Sequence, residues 1–110
     1  MPVINSIAAQ AEELAHWRRD MHRWPEIGHE CHQTARFVAA RLREFGVEDI
    51  REGIAGTGLV ALIHGHEAGP AIGLRADMDA LPMEEETGLD HASQVPGAMH
   101  GCGHDGHTVM

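Results

Sequence analysis

Residues 59–76 read LVALIHGHEAGPAIGLRA, in which two apolar runs of strand length are separated by a turn rich in Gly and His. The first run is Leu59–Ile63 and the second is Ala71–Ala76. Neither run alternates apolar with polar residues, which favours strands that are buried on both faces. Helices must cover such a sheet, so the segment predicts an α/β fold with the two runs side by side in one sheet.

Helical periodicity precedes these runs. Apolar residues recur at spacings of three and four over 6–24 and again over 29–45, which predicts two N-terminal helices. Ser6 is a candidate N-cap of the first helix and Pro25 ends it, whereas Gly46 suits the position after the second helix. The remaining expectations are a short strand at 47–51, a polar loop at 83–101 and a helix that starts near 105.

Composition narrows the class of protein. The chain has 110 residues, a formal net charge of −9 and two cysteines, Cys31 and Cys102. The acidic balance argues against nucleic acid as a partner, and no apolar run approaches the ~20 residues that span a bilayer. The first residues lack the features of a secretory signal, which favours a cytoplasmic location. In a cytoplasmic chain, two cysteines are expected to be free thiols or a metal ligand and not a disulfide framework.

A potential metal-binding pair lies in residues 100–107, HGCGHDGH. Cys102 and His104 are two residues apart, and the flanking glycines allow both side chains to bend toward one ion. Asp105 is suited to orient an imidazole or to be a ligand itself. The pair is half of a tetrahedral set, and a glycine-rich turn with solvated histidines and a buried thiol is the alternative interpretation.

Two carboxylates, Asp77 and Asp79, follow the second apolar run in residues 75–82, RADMDALP. At the carboxyl end of a strand they stand where α/β proteins place their ligands. Carboxylates that cap a turn are the alternative. The next acidic stretch, Glu84–Glu86, is expected to be a solvated surface segment.

Four ordered motifs carry a resemblance to a known family: RRDMHRWPE at 18–26, GTG at 56–58, LRADMDALP at 74–82 and MHGCGHD at 99–105. Together they resemble the M20-type metal-dependent amidohydrolases, and more narrowly the branch of hippurate hydrolases, N-acyl-amino-acid amidohydrolases and auxin-conjugate hydrolases. The resemblance implies a hydrolase with two divalent ions, which are zinc, manganese, cobalt or nickel. It also implies a small-molecule substrate, an N-acyl amino acid or a similar short conjugate, whose amide bond is cleaved.

The same resemblance implies roles for single residues. Cys102 and His104 are metal ligands, and Asp79 is the catalytic aspartate that supports the metal centre. Asp77 stands where other branches have a histidine ligand and is not assigned. Residues 1–110 are expected to be the N-terminal part of the catalytic domain, because the family's paired glutamates, its other histidine ligands and its lid or dimerisation domain come later. Such a piece is expected to be inactive alone, and the longer enzyme is a candidate homo-oligomer.

Two other classes of protein stay open. A small metal-binding protein would sequester an ion with Cys102, His104, His107 and His100. An interaction module would use the two predicted helices as a binding face. Neither class explains the motifs at 18–26 and 75–82, so the hydrolase is the leading hypothesis.

Overall fold

The computed structural model describes residues 4–110 and forms helices and strands over six segments of them. In chain order these are α1 Asn5–Ala8, α2 Ala11–Arg23, α3 His32–Glu44, β1 Asp49–Ile54, β2 Gly58–Leu62 and α4 His104–Val109. A long irregular connection joins β2 to α4. Between residues 4 and 110, no helix has both the length and the apolar character that crossing a bilayer requires.

The first predicted helix, 6–24, is divided in two. The N–H of Gln10 bonds the carbonyl of Ile7 at 3.0 Å, a tight three-residue turn that separates α1 from α2. Ser6 lies inside α1, so its prediction as an N-cap was wrong. α2 ends two residues before Pro25, close to the predicted boundary.

α3 ends in a Schellman motif. The N–H of Gly46 bonds the carbonyl of Arg43 at 2.9 Å, and the N–H of Val47 bonds that of Leu42 at 3.0 Å. Gly46 has a φ of +86°, a left-handed conformation that glycine adopts without a Cβ clash. The predicted place of Gly46 immediately after the helix is therefore confirmed.

The two long helices pack through aromatic side chains. The ring centroid of Trp17 in α2 lies 6.3 Å from that of Phe37 and 6.1 Å from that of Phe45. The guanidinium of Arg41 lies 5.6 Å from the Trp17 ring, within the range of a cation–π contact. The buried apolar residues of the described chain are mostly small: Met21, Cys31, Ala35, Ala39, Ala80 and Ala98. Small side chains let the segments approach closely around a thin core.

β1 and β2 form an antiparallel hairpin that contacts α3. Asp49 pairs with Leu62, and the register becomes irregular near Ile54. A Cβ at Gly58 would lie 2.6 Å from the carbonyl oxygen of Ile54, so this turn requires glycine. The strand predicted at 59–63 is confirmed as β2, and the one predicted at 47–51 overlaps the start of β1.

The second apolar run, 71–76, is not a strand. Its side chains are solvated, with Ile72 88% and Leu74 96% exposed. The predicted pairing of 59–63 with 71–76 was wrong, because β2 pairs with β1 and no other strand within 4–110 offers backbone groups to the second run. Helices packed with a sheet still define the predicted α/β class.

Backbone hydrogen bonds fold the long connection against α2 and the segment that follows it. Leu81 and Met99 pair antiparallel, with N···O distances of 2.9 and 3.0 Å. The N–H of Ala80 bonds the carbonyl of Glu26 at 2.7 Å. This pairing brings the motif at 75–82 beside the motif at 100–107.

Candidate metal centre

His104 is the first residue of α4, and its side chain is 15% exposed. Its Nδ1 lies 2.8 Å from the carbonyl oxygen of Asp79 and 3.1 Å from Asp79 Oδ1. A ring nitrogen that faces two acceptors carries the proton, so Nδ1 donates and Nε2 keeps its lone pair. This arrangement is typical of a metal-binding histidine, whose second nitrogen donates to a carboxylate or a carbonyl.

Asp77 lies between two histidines. Its Oδ2 is 3.5 Å from Nε2 of His104, and its Oδ1 accepts a hydrogen bond from Nδ1 of His107 at 2.8 Å. The hydroxyl of Thr108 donates to the Asp77 carbonyl at 2.9 Å, which ties the segment to α4. The two histidines are three residues apart on one helix, and their ring centroids are 5.4 Å apart.

Asp77, His104 and His107 form a donor group, in which each side chain offers one ligand atom and all these atoms lie within 4.8 Å of one another. Two imidazole nitrogens and a carboxylate oxygen suit zinc and neighbouring divalent ions. The hydrogen bond from His107 lowers the pKa of Asp77 against the opposing effect of burial, and the nearby Arg75 guanidinium lowers it further. The carboxylate is therefore ionised at neutral pH, and the donor group fits a divalent cation.

The residues predicted from the sequence are brought together in part. Asp79 and His104, which are 25 positions apart, are in contact. Cys102 is exposed, and the donor group found among residues 4–110 does not include its sulfur, so its role as a ligand stays a prediction. Asp77 and His107 belong to the group, although the sequence analysis assigned no role to Asp77 and gave His107 only to the sequestration alternative. The three-residue spacing of His104 and His107 on a predicted helix was the available signal for His107.

A second polar cluster adjoins α4, and we call it the His22 bridge: His22, Asp105, Glu85 and Arg18. Nδ1 of His22 lies 2.9 Å from Asp105 Oδ2, and its Nε2 lies 3.2 Å from Glu85 Oε1. Arg18 Nε donates to the same oxygen of Asp105 at 3.3 Å. The side chains of Asp105 and Glu85 are 1% and 2% exposed. The prediction that Glu84–Glu86 is solvated was therefore wrong for Glu85, whose partner lies in a distant helix.

Both carboxylates of the bridge are ionised. Burial raises the pKa of Asp105, but hydrogen bonds from His22 and a backbone N–H, with the charge of Arg18, lower it overall. Burial likewise opposes the ionisation of Glu85, but bonds from the Thr87 hydroxyl, a backbone N–H and His22 lower its pKa to about 2. Both buried carboxylates thus face the imidazole of His22, and Asp105 also faces the guanidinium of Arg18.

His100 is also buried, at 5% exposure, and neither of its ring nitrogens has a hydrogen-bond partner in the described part of the chain. Burial lowers the pKa of His100, which favours a neutral ring. It lies outside the donor group, with its ring centroid 6.3 Å from that of His22. The sequestration alternative, which needs His100 as a ligand, gains no support from this position.

Comparison with known proteins identifies the relatives of this chain. Residues 73–110 match the family described as Peptidase family M20/M25/M40. The chain is 46% identical over 104 residues to an N-acetyl-L-cysteine deacetylase of Bacillus subtilis, aligned over 94% of the chain and 25% of that protein. It is 43% identical over 109 residues to a hippurate hydrolase of Campylobacter jejuni, over 99% of the chain and 27% of that protein. The chain thus spans about a quarter of the length of these relatives.

A solved structure agrees with these matches. The crystal structure of the Bacillus subtilis YXEP protein, described as a dinuclear metal binding peptidase from the M20 family, superposes with a TM-score of 0.86. The two are 42% identical, and the match covers 93% of this chain and 28% of the other. Fold and donor group together define the class as α/β proteins with a candidate site for divalent metal. Within that class, this chain belongs to the M20 family of peptidases and amidohydrolases.

Proposed function

We propose that this chain contributes the first metal ligands of an enzyme that hydrolyses the amide bond of N-acyl amino acids or similar short conjugates. The main support is the orientation of His104, whose Nδ1 bonds the Asp79 carbonyl while Nε2 faces the ionised carboxylate of Asp77. The relatives support the reaction class, since one is named N-acetyl-L-cysteine deacetylase and another hippurate hydrolase.

The proposed centre takes two divalent ions, with Cys102 and His104 as ligands from this chain and zinc, manganese, cobalt or nickel as candidates. The dinuclear description of the YXEP protein supports two ions. Asp77 and His107 offer further donors, and Asp79 keeps the proton of His104 on Nδ1 so that Nε2 is free. When bound, such ions lower the pKa of a water molecule and polarise the amide carbonyl.

Residues 1–110 are proposed to be the N-terminal part of a catalytic domain. A two-ion centre needs more ligands than the three-residue donor group of residues 4–110, and it needs a carboxylate to take the proton of the water. The relatives are about four times as long as the aligned segment. We therefore propose that the other ligands, the base and a lid or dimerisation domain lie outside these residues, and that the longer enzyme is a homo-oligomer.

A cytoplasmic location belongs to the same proposal. Cys31 is a buried free thiol that donates to the carbonyl of Gly28 at 3.2 Å, and burial raises its pKa to about 11. A thiol with such a high pKa is unreactive and suits a chain that carries no disulfide in a reducing compartment.

Metal binding and turnover test different parts of the proposal. The chain is titrated with Zn²⁺ or Co²⁺, and a longer protein that carries the same sequence is assayed for amine release from N-acetylcysteine and hippurate. We expect His104→Ala to weaken metal binding at least about tenfold, as expected for loss of a ligand. His64→Ala is the matched control, because its side chain is 78% exposed and outside the donor group.

A negative result in each of the two measurements would contradict a different part of the proposal. If the longer, metal-loaded protein released no amine from either conjugate, the proposed reaction would be wrong. If the chain bound Co²⁺ equally well with and without His104, the proposed metal centre would be wrong instead. The 110-residue chain alone is expected to give no turnover with either substrate.

A further inference from the structure

His22 connects three separate parts of the fold. It lies in the last turn of α2, its side chain is only 12% exposed, and each of its nitrogens meets a carboxylate. Asp105 belongs to α4, and Glu85 belongs to the long connection, 83 and 63 positions away in the chain. The single imidazole therefore joins α2, α4 and the connection at one point.

Two buried carboxylates share this ring. Asp105 lies within hydrogen-bond distance of Nδ1 and Glu85 within that of Nε2. Arg18 also donates to Asp105 at 3.3 Å, whereas Glu85 accepts its other side-chain bond from the hydroxyl of Thr87. Removing the ring would leave two buried carboxylates short of a donor, which is costly in a low-dielectric site.

Asp105 is adjacent to His104 in the first turn of α4. Side chains one residue apart on a helix point about 100° apart around its axis, so a clamp on Asp105 sets the rotation of the helix. That rotation determines the direction in which His104 and His107, the two imidazoles of the donor group, project from the helix. Hydrogen bonds from His104, His107 and Thr108 hold α4 to the segment 77–79, whereas Asp105 bonds it to α2.

We propose that His22 is a positioning residue: through Asp105 it holds His104 and His107 of α4 in the orientation in which they bind a divalent ion. This role rests on the proposed function, since it concerns the same metal centre. Through His22, the motif at 18–26 would affect metal binding without contacting the ion itself.

The test uses two substitutions that each keep one half of the bridge. The amide nitrogen of Asn takes the place of imidazole Nδ1, and that of Gln takes the place of Nε2. His22→Asn therefore retains the bond to Asp105, and His22→Gln retains the bond to Glu85. The complete chain is titrated with Co²⁺, and its affinity and visible absorption spectrum are recorded alongside thermal unfolding. His16→Asn is the control, because His16 lies on the same helix but is 70% exposed.

We expect His22→Gln to weaken Co²⁺ binding about tenfold and to change the cobalt spectrum, as found for residues that orient a ligand. His22→Asn should stay within about threefold of the unmodified chain, and His16→Asn should not differ from it. Glu85→Gln should lower the melting temperature but leave the cobalt affinity unchanged. A purely structural role would instead lower the melting temperature in both His22 variants without changing affinity or spectrum.

A readout without metal completes the test. In the unmodified chain the proton on Nδ1 of His104 is expected to be protected by Asp79, and nitrogen NMR of the ring measures this directly. His22→Gln should reduce that protection, whereas His22→Asn should preserve it. Equal cobalt affinity in the Gln and Asn variants would overturn the positioning role alone. Failure of the unmodified chain to bind cobalt would overturn the metal centre as well.

Discussion

Single residues define the donor atoms of the centre, and Cys102 is the one whose role depends most on the sequence motif. We expect Cys102→Ser to weaken Zn²⁺ or Co²⁺ binding about tenfold, because a hydroxyl is a poorer and usually protonated donor. Binding is measured by competition with a coloured chelator. Cys31→Ser is the contrasting variant. Because Cys31 is buried, this substitution should lower the melting temperature without affecting metal affinity. Unchanged affinity in Cys102→Ser would remove Cys102 from the ligands.

Glu85 gives a prediction about acid stability. Its pKa falls from 4.5 to about 2 in the folded chain, so its contribution to stability is present above pH 4.5 and is lost as the pH drops toward 2. Glu85→Gln should reduce the free energy of unfolding at pH 7 by about 2 kcal/mol, the typical value for hydrogen bonds to a charged group. Urea unfolding at pH 7 and pH 3 measures the difference, which should shrink at pH 3. Glu86→Gln, an exposed neighbour, should show no such pH dependence.

Among the elements, the end of α3 offers a test of backbone conformation. Gly46 has a φ of +86°, so Gly46→Ala should lower the free energy of unfolding by about 1 kcal/mol because the added Cβ strains a left-handed residue. Urea denaturation gives the value. Gly73→Ala is the control, since its Cβ would have no atom within 4 Å and the backbone there is not left-handed. Equal stability of both variants would contradict the assigned motif.

Elements whose signals are local could be predicted from the sequence. Apolar spacing located α2 and α3, and a glycine after the periodic run located the end of α3. The absence of a strand at 71–76 could not be predicted in this way, because a strand forms only where a neighbouring strand supplies hydrogen bonds. Glu85 was misjudged for a related reason, since its partner His22 lies 63 positions away.

At the scale of the whole molecule, the apolar run 71–76 contains two of the most exposed large apolar side chains among residues 4–110. Ile72 and Leu74 are 88% and 96% exposed, and solvated apolar groups of this size favour association. The double substitution Ile72→Ser with Leu74→Ser should reduce self-association in sedimentation velocity and change the free energy of unfolding by less than about 0.5 kcal/mol. Ala39→Ser, at a residue that is 0% exposed, should lower stability without reducing association. A large loss of stability in the double variant would mean that this run is packed in solution.

The sequence by itself determined the family, the helical segments and the two motifs that hold the candidate site. These depend on residue type and on spacing along the chain, which the sequence contains in full. Only the tertiary structure decided that Asp79 orients His104, that Asp77 and His107 join it as donors, and that His22 bridges two buried carboxylates. Each of these contacts joins segments that are 25 to 83 positions apart, or depends on which carboxylate the fold presents to an imidazole. Distances of that kind are set by how α4 and the connection 63–103 pack against α2, and no local pattern encodes them.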